Sequence, residues 1–167
     1  MAKLTMMMGI PGSGKSTAAA AYQQEDDFKR MIVSRDEIRF SLVAEDEEYF
    51  SKEDEVFNTF CIKLAVGLSC DFEMIADATN LNFRSRAKLL NGVSYHYNKI
   101  IDEGSFKENV ELCVYFVNVP LKTALAQNEN RKGTRAYVPE SAIRNMYNAL
   151  EKVQDFEGIN EIIEIKG

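Results

Sequence analysis

Apolar and polar positions follow each other along this chain in blocks, a short apolar run and then a longer stretch with helical spacing, several times over. Leu4 to Met8 is short enough for a buried strand, and Ala18 to Ala21 downstream is strong helix-forming sequence. Met31 to Val33 reads as a second strand ending at Ser34-Arg35-Asp36. Helical spacing resumes from Asp36 to Val43, with Ile38, Leu42 and Val43 on one side and an acidic first turn. An acidic break from Glu45 to Tyr49 precedes a largely buried helix over about Lys52 to Ser69, in which Gly67 is a weak point near the end. Phe72 to Ala76 is a third strand that stops at Asp77-Ala78-Thr79-Asn80, and a helix follows from near Phe83 to Asp102, ended by Gly104. Val110 to Val119 is a fourth strand closed by Pro120, with a helix from Leu121 to about Asn130. Pro139 opens another helix through Ile143, Met146, Tyr147 and Leu150, and Ile159 to Ile165 can form a final strand.

Strands alternating with helices imply an α/β domain whose central, mostly parallel sheet of four or five strands is covered on both faces, with right-handed crossovers. Ligands bind such sheets at the carboxyl edge of the strands, so the segments after each strand, with Asp36, Asp77 and Pro120 among them, should border one crevice. No repeat, low-complexity tract or linker divides the chain, and residues 1–167 read as one domain.

The turn between the first strand and the first helix carries the most specific signal. Gly9 to Thr17 fits G-x-x-x-x-G-K-S/T at every fixed position. Nucleotide phosphates need many donors in a small concave space, and glycines let consecutive backbone N–H groups face one point. Gly12, Ser13, Gly14, Lys15, Ser16 and Thr17 are therefore the candidate nucleotide-binding residues. Lys15 reaches the outer phosphates of ATP and the Ser16 hydroxyl is a Mg²⁺ ligand. Asp77, and Asp36 with it, are further candidate Mg²⁺ ligands.

Charge and composition narrow the partners. Twenty Lys and Arg against 26 Asp and Glu leave a net charge of −6, which argues against coating long nucleic acid but not against gripping one end of a strand. Cys61, Cys70 and Cys113 are widely spaced in apolar or helical surroundings and read as reduced core cysteines. A lone histidine, His96, makes histidine-based nucleophilic catalysis and a structural zinc site poor readings, and it is taken as a helix-surface or packing residue. No apolar run reaches membrane-spanning length and no signal peptide is evident, so the default address is the cytoplasm, that of the host cell if the chain is phage-encoded.

Four clusters lie at the expected strand edge: the phosphate loop, an R-D-x-x-R at Arg35 to Arg39, a D-x-T-N at Asp77 to Asn80, and the basic loop Arg131-Lys132-Gly133-Thr134-Arg135. In this order and spacing, over about Lys3 to Leu150, they resemble the kinase domain of bacteriophage polynucleotide 5′-hydroxyl kinases, within the larger group of P-loop kinases. The resemblance implies a three-layer P-loop kinase fold with a lid loop at about residues 127–138. It implies transfer of the ATP γ-phosphoryl group, with Mg²⁺, to the 5′-hydroxyl end of DNA or RNA in end healing. By the same resemblance Asp36 is the general base, Arg39 holds the phosphate just 3′ of the reacting nucleoside, and Thr79 and Asn80 belong to the acceptor-side loop. Arg131, eleven positions after Pro120, matches a lid arginine over the donor phosphates, with Arg135 as a second cofactor-binding candidate. The chain departs from the family at Gln127, where relatives tend to carry an earlier lid arginine, and no Asp-x-Asp-x-Thr follows, so a 3′-phosphatase activity is not expected.

Plainer readings stand beside these. Asp36 is also placed to cap a helix, Arg39 to be a solvated helix charge, Asp77 to be a strand-end turn residue, and Thr79 and Asn80 to cap the next helix. Arg84, Arg86 and Lys88 read as a solvated helix start that could extend a path for the acceptor strand. Tyr22, Tyr95 and Tyr97 read as core or rim. Two other functions share most of these motifs: a P-loop kinase of a small acceptor such as a nucleoside, sugar or antibiotic, and a nucleotide-binding module that transfers nothing. An acceptor lacking a flanking phosphate gives Arg39 no target, and the module leaves Asp36 unexplained.

Overall fold

The polypeptide builds one sheet outward from its first strand. The computed structural model describes residues 2–167, and its elements run β1 (Ala2–Met8), α1 (Lys15–Gln24), β2 (Arg30–Ser34), α2 (Arg35–Leu42), α3 (Glu53–Ser69), β3 (Glu73–Asp77) and α4 (Phe83–Ile100). There follow α5 (Phe106–Asn109), β4 (Val110–Asn118), α6 (Leu121–Glu129), α7 (Glu140–Asn148), a single 3-10 turn at Asp155–Glu157, and β5 (Glu161–Lys166). The strands lie in the order β2-β3-β1-β4-β5 and every pair is parallel, so all five strands end at one edge. The α/β reading holds, and the sheet expected to be mostly parallel is wholly so.

Period-two side-chain alternation along β1 divides the core. Leu4, Met6 and Met8 point to the face covered by α3 and α4, where they meet Phe60, Leu64, Leu68, Leu89, Val93 and Tyr97. Met7 points the other way, onto Ala19 and Tyr22 of α1, Ala124 of α6 and Ile143 of α7. Both faces are closed, which is why the strands read as near-continuous apolar runs. Gly67 is a requirement of this packing rather than a weakness: a Cβ there would lie 2.2 Å from the Met74 sulfur, so glycine lets the end of α3 lie against β3.

Three details differ from the sequence expectation. Phe106–Asn109 forms the short helix α5, whose capping Ser105 hydroxyl accepts from Glu108 N–H at 3.4 Å and whose Phe106 enters the core, in a stretch too short for periodicity to mark. Cys61 and Cys113 are buried as expected, but Cys70, at the exposed end of α3, is not a core residue. The largest departure is Arg86, which is not part of a solvated helix start. It is 0% exposed, with Nε 2.7 Å and Nη2 2.9 Å from the two carboxylate oxygens of Glu157 in the 3-10 turn. Of the tyrosines, Tyr22 and Tyr97 are buried and Tyr95 lies on the surface.

Candidate functional site

Between β1 and α1 the chain turns in a loop whose shape its neighbours dictate. Gly9 N–H donates to Thr79 O at 3.0 Å, tying the loop to the segment after β3, and Ser13 N–H closes a turn onto Ile10 O at 3.2 Å. Gly12 and Gly14 sit at φ +83° and +90°, in the left-handed region that glycine tolerates. A Cβ on Gly12 would also come within 2.3 Å of Ala124 O, so α6 lies directly against the loop. Gly14 gives α1 no side-chain cap, which leaves the N–H groups of its first turn for an anion. The Ser13 hydroxyl is buried without a partner, as a donor waiting for a phosphate oxygen would be.

Charged groups from three other segments converge on Lys15. Burial pushes its amine below the ordinary lysine range, Asp77 and Asp36 pull it back up, and Arg131 pushes it further down. One ammonium thus feels the carboxylates that follow β2 and β3 and the Arg131 guanidinium. The Ser16 hydroxyl donates to Asp77 Oδ2 at 2.8 Å. A hydroxyl and one carboxylate beside a phosphate cradle are the donor set Mg²⁺ uses when phosphates and waters complete its shell. Ser16 and Asp77 therefore fit that ion, and among the described residues no cluster of three or more His, Cys, Asp or Glu offers an all-protein alternative. Thr17 is exposed on the first turn of α1.

The plainer roles expected for several of the candidate residues are taken by others. Ser34 caps α2, its hydroxyl accepting from Glu37 N–H at 3.2 Å, so the Asp36 carboxylate is left 65% exposed on the first turn. Asn82 caps α4 by accepting from Ser85 N–H at 2.9 Å, so neither Thr79 nor Asn80 is that cap. Arg39 is no solvated charge: it is 6% exposed and held on three sides. Its Nε and Nη2 donate to Glu53 at 2.5 and 3.1 Å, and its Nη1 donates to Asp36 Oδ1 at 2.6 Å and to the Tyr49 hydroxyl at 3.2 Å. Arg35 Nη2 shares Glu53 at 3.1 Å. Burial works against the Glu53 carboxylate, but the Arg39 hydrogen bonds and both arginine charges outweigh it and hold its pKa below the usual range. Glu53 and Tyr49 escaped the sequence reading. Tyr49 ends the acidic break and Glu53 opens the helix after it, and nothing in the local pattern tells a first-turn glutamate that stabilises its own helix from one that pairs with another helix.

Asn80 and Arg135 are spent on architecture. Asn80, in the left-handed region at φ 45°, donates from Nδ2 to Met7 O at 2.7 Å and is buried, so its side chain fixes the end of β1. Thr79 is half-buried, and its carbonyl serves Gly9. Arg135 reaches the end of α2. It donates to Phe40 O at 3.3 Å and Val43 O at 2.6 Å and stacks 4.6 Å over the Phe40 ring, answering the carbonyls at the end of α2. Of the basic loop, Arg131 is the residue felt at Lys15. The loop is pinned at its base by the buried Asn128, whose amide exchanges hydrogen bonds with the Val138 backbone at 2.7 and 3.0 Å. A cleft of about 430 Å³ lies between the loop and the segment joining α2 to α3, lined by Val43, Glu45, Glu47 and Tyr49 on one side and by Gly133 to Arg135 on the other. A second hollow, about 600 Å³, lies beside the edge strand β2 and the start of α2, with Ser34, Glu37 and Ile38 in its wall.

Against this geometry, a family model described as an AAA domain matches residues 4–153, nearly the whole chain. The chain belongs to this family. Its fold is that of the P-loop kinases, and several solved structures share it. A chain of the Pnkp1/Rnl/Hen1 RNA repair complex superposes with a TM-score of 0.70 at 22% identity, over 89% of this chain and 43% of that one. A fungal RNA kinase gives 0.69 at 10% identity, over 99% and 76%. A gluconokinase from Sinorhizobium meliloti 1021 gives 0.59 at 13% identity, over 98% and 82%. The chain thus spans less than half the length of the Pnkp1 complex chain. No curated protein matches it in sequence. No helix is long and apolar enough to cross a membrane.

Proposed function

We propose that this protein is an ATP-dependent polynucleotide 5′-hydroxyl kinase. The observation that carries the reading is the pairing of Asp36 and Arg39 on one turn of α2, with Asp36 close enough to Lys15 to shift its titration. A carboxylate that takes a hydroxyl proton, next to a guanidinium that seeks a phosphate, suits an alcohol flanked by a phosphodiester.

In this reading the phosphate loop binds the donor through its backbone N–H groups, and Ser13 supplies one more donor. Lys15 holds the outer phosphates, and Arg131 meets the negative charge that builds on the γ-phosphoryl oxygens during transfer. Ser16 and Asp77 would hold Mg²⁺, which neutralises phosphate charge when bound. Asp36 orients the 5′-hydroxyl and accepts its proton as the new O–P bond forms and the bond to the ADP oxygen breaks. A carboxylate is too weak a base to strip a free alcohol, and it takes the proton late, once bonding to phosphorus has made the hydroxyl acidic.

The test offers γ-labelled ATP with Mg²⁺ to 5′-hydroxyl oligonucleotides of DNA and RNA, to nucleoside 3′-monophosphates, and to a panel of nucleosides and sugars. Label transfer to the strands and not to the neutral panel is the expected result. Transfer to nucleosides or sugars alone would move the chain among small-acceptor kinases such as its gluconokinase neighbour. ATP binding with no acceptor-dependent release of ADP would make it a nucleotide-binding module.

A further inference from the structure

The sheet has two edges, and they are not guarded alike. β5 carries Glu161, Glu164 and Lys166, the kind of charge that keeps an edge strand from pairing further. β2 pairs with β3 alone, and its one charge is Arg30, whose guanidinium is bonded to Glu73, Glu25 and Tyr22 O. Met31, Ile32 and Val33 are left as an unguarded run. Beside them lies the hollow of about 600 Å³, lined by Met31, Val33 and Met74 from the sheet and by Ile62 and Val66 from α3, with Met31, Ile62 and Val66 exposed. Glu37 of α2 and Lys63 of α3 also face it. The turn that leads into β2, Asp26-Asp27-Phe28-Lys29, has features that match: Phe28 is 90% exposed and is flanked by two acids and a lysine. Among the described residues none of Asp26, Asp27, Lys29, Glu37 and Lys63 makes an ion pair.

A two-fold axis through the middle of β2 brings knob and hollow together. If β2 pairs antiparallel with β2 of a second copy about Ile32, Arg30 of one strand lies opposite Ser34 of the other, and the turn before one strand runs past the start of α2 in the other copy. Phe28 precedes the axis by about as many residues as Glu37 follows it. We infer that the chain associates with a second copy of itself through β2, the Phe28 ring of each copy seated in the hollow of the other. Lys29 then meets Glu37, and Asp26 and Asp27 meet Lys63, so both sets of charges find opposite partners. The open edge, the projecting ring, the apolar hollow and the two sets of charges all belong to one edge of one chain, in positions that a two-fold axis exchanges. A foreign partner has no use for both ring and hollow. One short strand and one inserted ring per copy make a small contact, near or below the low end of specific interfaces at about 1,200 Å², so the dimer is weak and concentration-dependent. The inference stands on the fold and holds whichever acceptor the site takes.

Sedimentation velocity on the whole chain, from about 5 µM to about 500 µM, tests it. The expected result is a monomer that passes into a dimer and grows no further. Phe28→Ala should raise the dimer Kd about tenfold or more, as loss of an anchoring ring does, with circular dichroism unchanged because the ring is exposed. Lys63→Glu should raise Kd about threefold to tenfold, and adding Asp26→Lys and Asp27→Lys to the same chain should recover most of that loss, since the exchanged charges again face each other. Ile162→Lys, on the β5 edge, should leave Kd unchanged. A monomer throughout the range would overturn the inference. A dimer indifferent to Phe28→Ala, or one broken by Ile162→Lys, would overturn it too, because the contact would then lie elsewhere. Growth beyond two copies would mean a contact that does not close on itself, which a two-fold pairing of β2 forbids.

Discussion

Replacing Glu157 with Gln should damage the protein more than any substitution in the exposed part of the site. Arg86 and Glu157 have side chains 0% and 2% exposed and meet through two parallel hydrogen bonds, while Arg86 Nη1 donates to Asn80 O at 3.1 Å. The guanidinium therefore ties the C-terminal turn to the segment that supports the phosphate loop. Removing one member of a buried pair leaves the other charge uncompensated, which costs about 3–5 kcal/mol. For a chain of this length each kcal/mol moves Tm by about 2–4 °C, so Glu157→Gln should lower Tm by about 6–20 °C. The pH dependence follows from the carboxyl. Burial alone would raise its pKa, but the Arg86 hydrogen bond, the Gln154 N–H and the Arg86 charge together hold it below the ordinary value. A depressed carboxyl stabilises fully above its unfolded pKa of about 4.3 and loses that contribution as pH falls through the folded value. The gap between wild type and Glu157→Gln, followed by urea denaturation from pH 7 downward, should stay constant to about pH 5 and then narrow. Arg86→Met with Glu157→Leu should recover most of the loss, since an apolar pair leaves no orphaned charge. A loss under about 1 kcal/mol at pH 7, or a gap that persists unchanged into acid, would refute the reasoning.

Asp36→Asn keeps shape and hydrogen bonding but loses basicity. It should lower kcat by about 10²- to 10⁴-fold with little change in ATP affinity measured without acceptor, and an equal loss of both would make the residue chiefly a metal-shell ligand. Arg131→Ala should lower kcat more than it raises the KM for ATP, whereas Arg135→Ala, which frees the end of α2, should be read mainly as lowered thermal stability; the reverse order of damage would mean that the lid register is wrong. Gly12→Ala should abolish ATP binding by equilibrium titration, because a Cβ would collide with Ala124 O at a φ that alanine resists, and retained binding would mean the loop can open away from α6.

What the sequence made legible is what is written locally. The phosphate loop follows from fixed residues at fixed spacing, and the parallel sheet from apolar runs alternating with helical periods. The convergence of Lys15, Asp36 and Asp77 follows from topology, because residues just after parallel strands must share one edge. With β3 lying between β2 and β1, a single strand separates the segment bearing Asp36 from the phosphate loop. Side-chain partners across helices are not written in this way. Arg86 looks like Arg84 and Lys88 in sequence, and it is buried only because a carboxylate 71 residues later returns beside it. Arg39 looks like a surface charge, and it is buried because Tyr49, at the end of the acidic break, and Glu53, in the helix after it, close over it.

The same distinction bears on how the acceptor side works. Asp36, the proposed base, and Arg39, the proposed phosphate grip, are joined at 2.6 Å, and Glu53 holds the other edge of the guanidinium. Arg39 has directed Nε, Nη1 and Nη2 to protein oxygens, so a phosphate can bind it only by adding to the fork or by displacing Glu53 or Asp36. Displacing Asp36 would free its carboxylate for a hydroxyl proton at the moment the flanking phosphate arrives. Displacing Glu53 would release α3 and Arg35 as well. The first exchange couples phosphate recognition to base activation through one guanidinium. A hydroxyl compound without that phosphate would find Asp36 still bound to Arg39, and the selection would come from the base as much as from the grip.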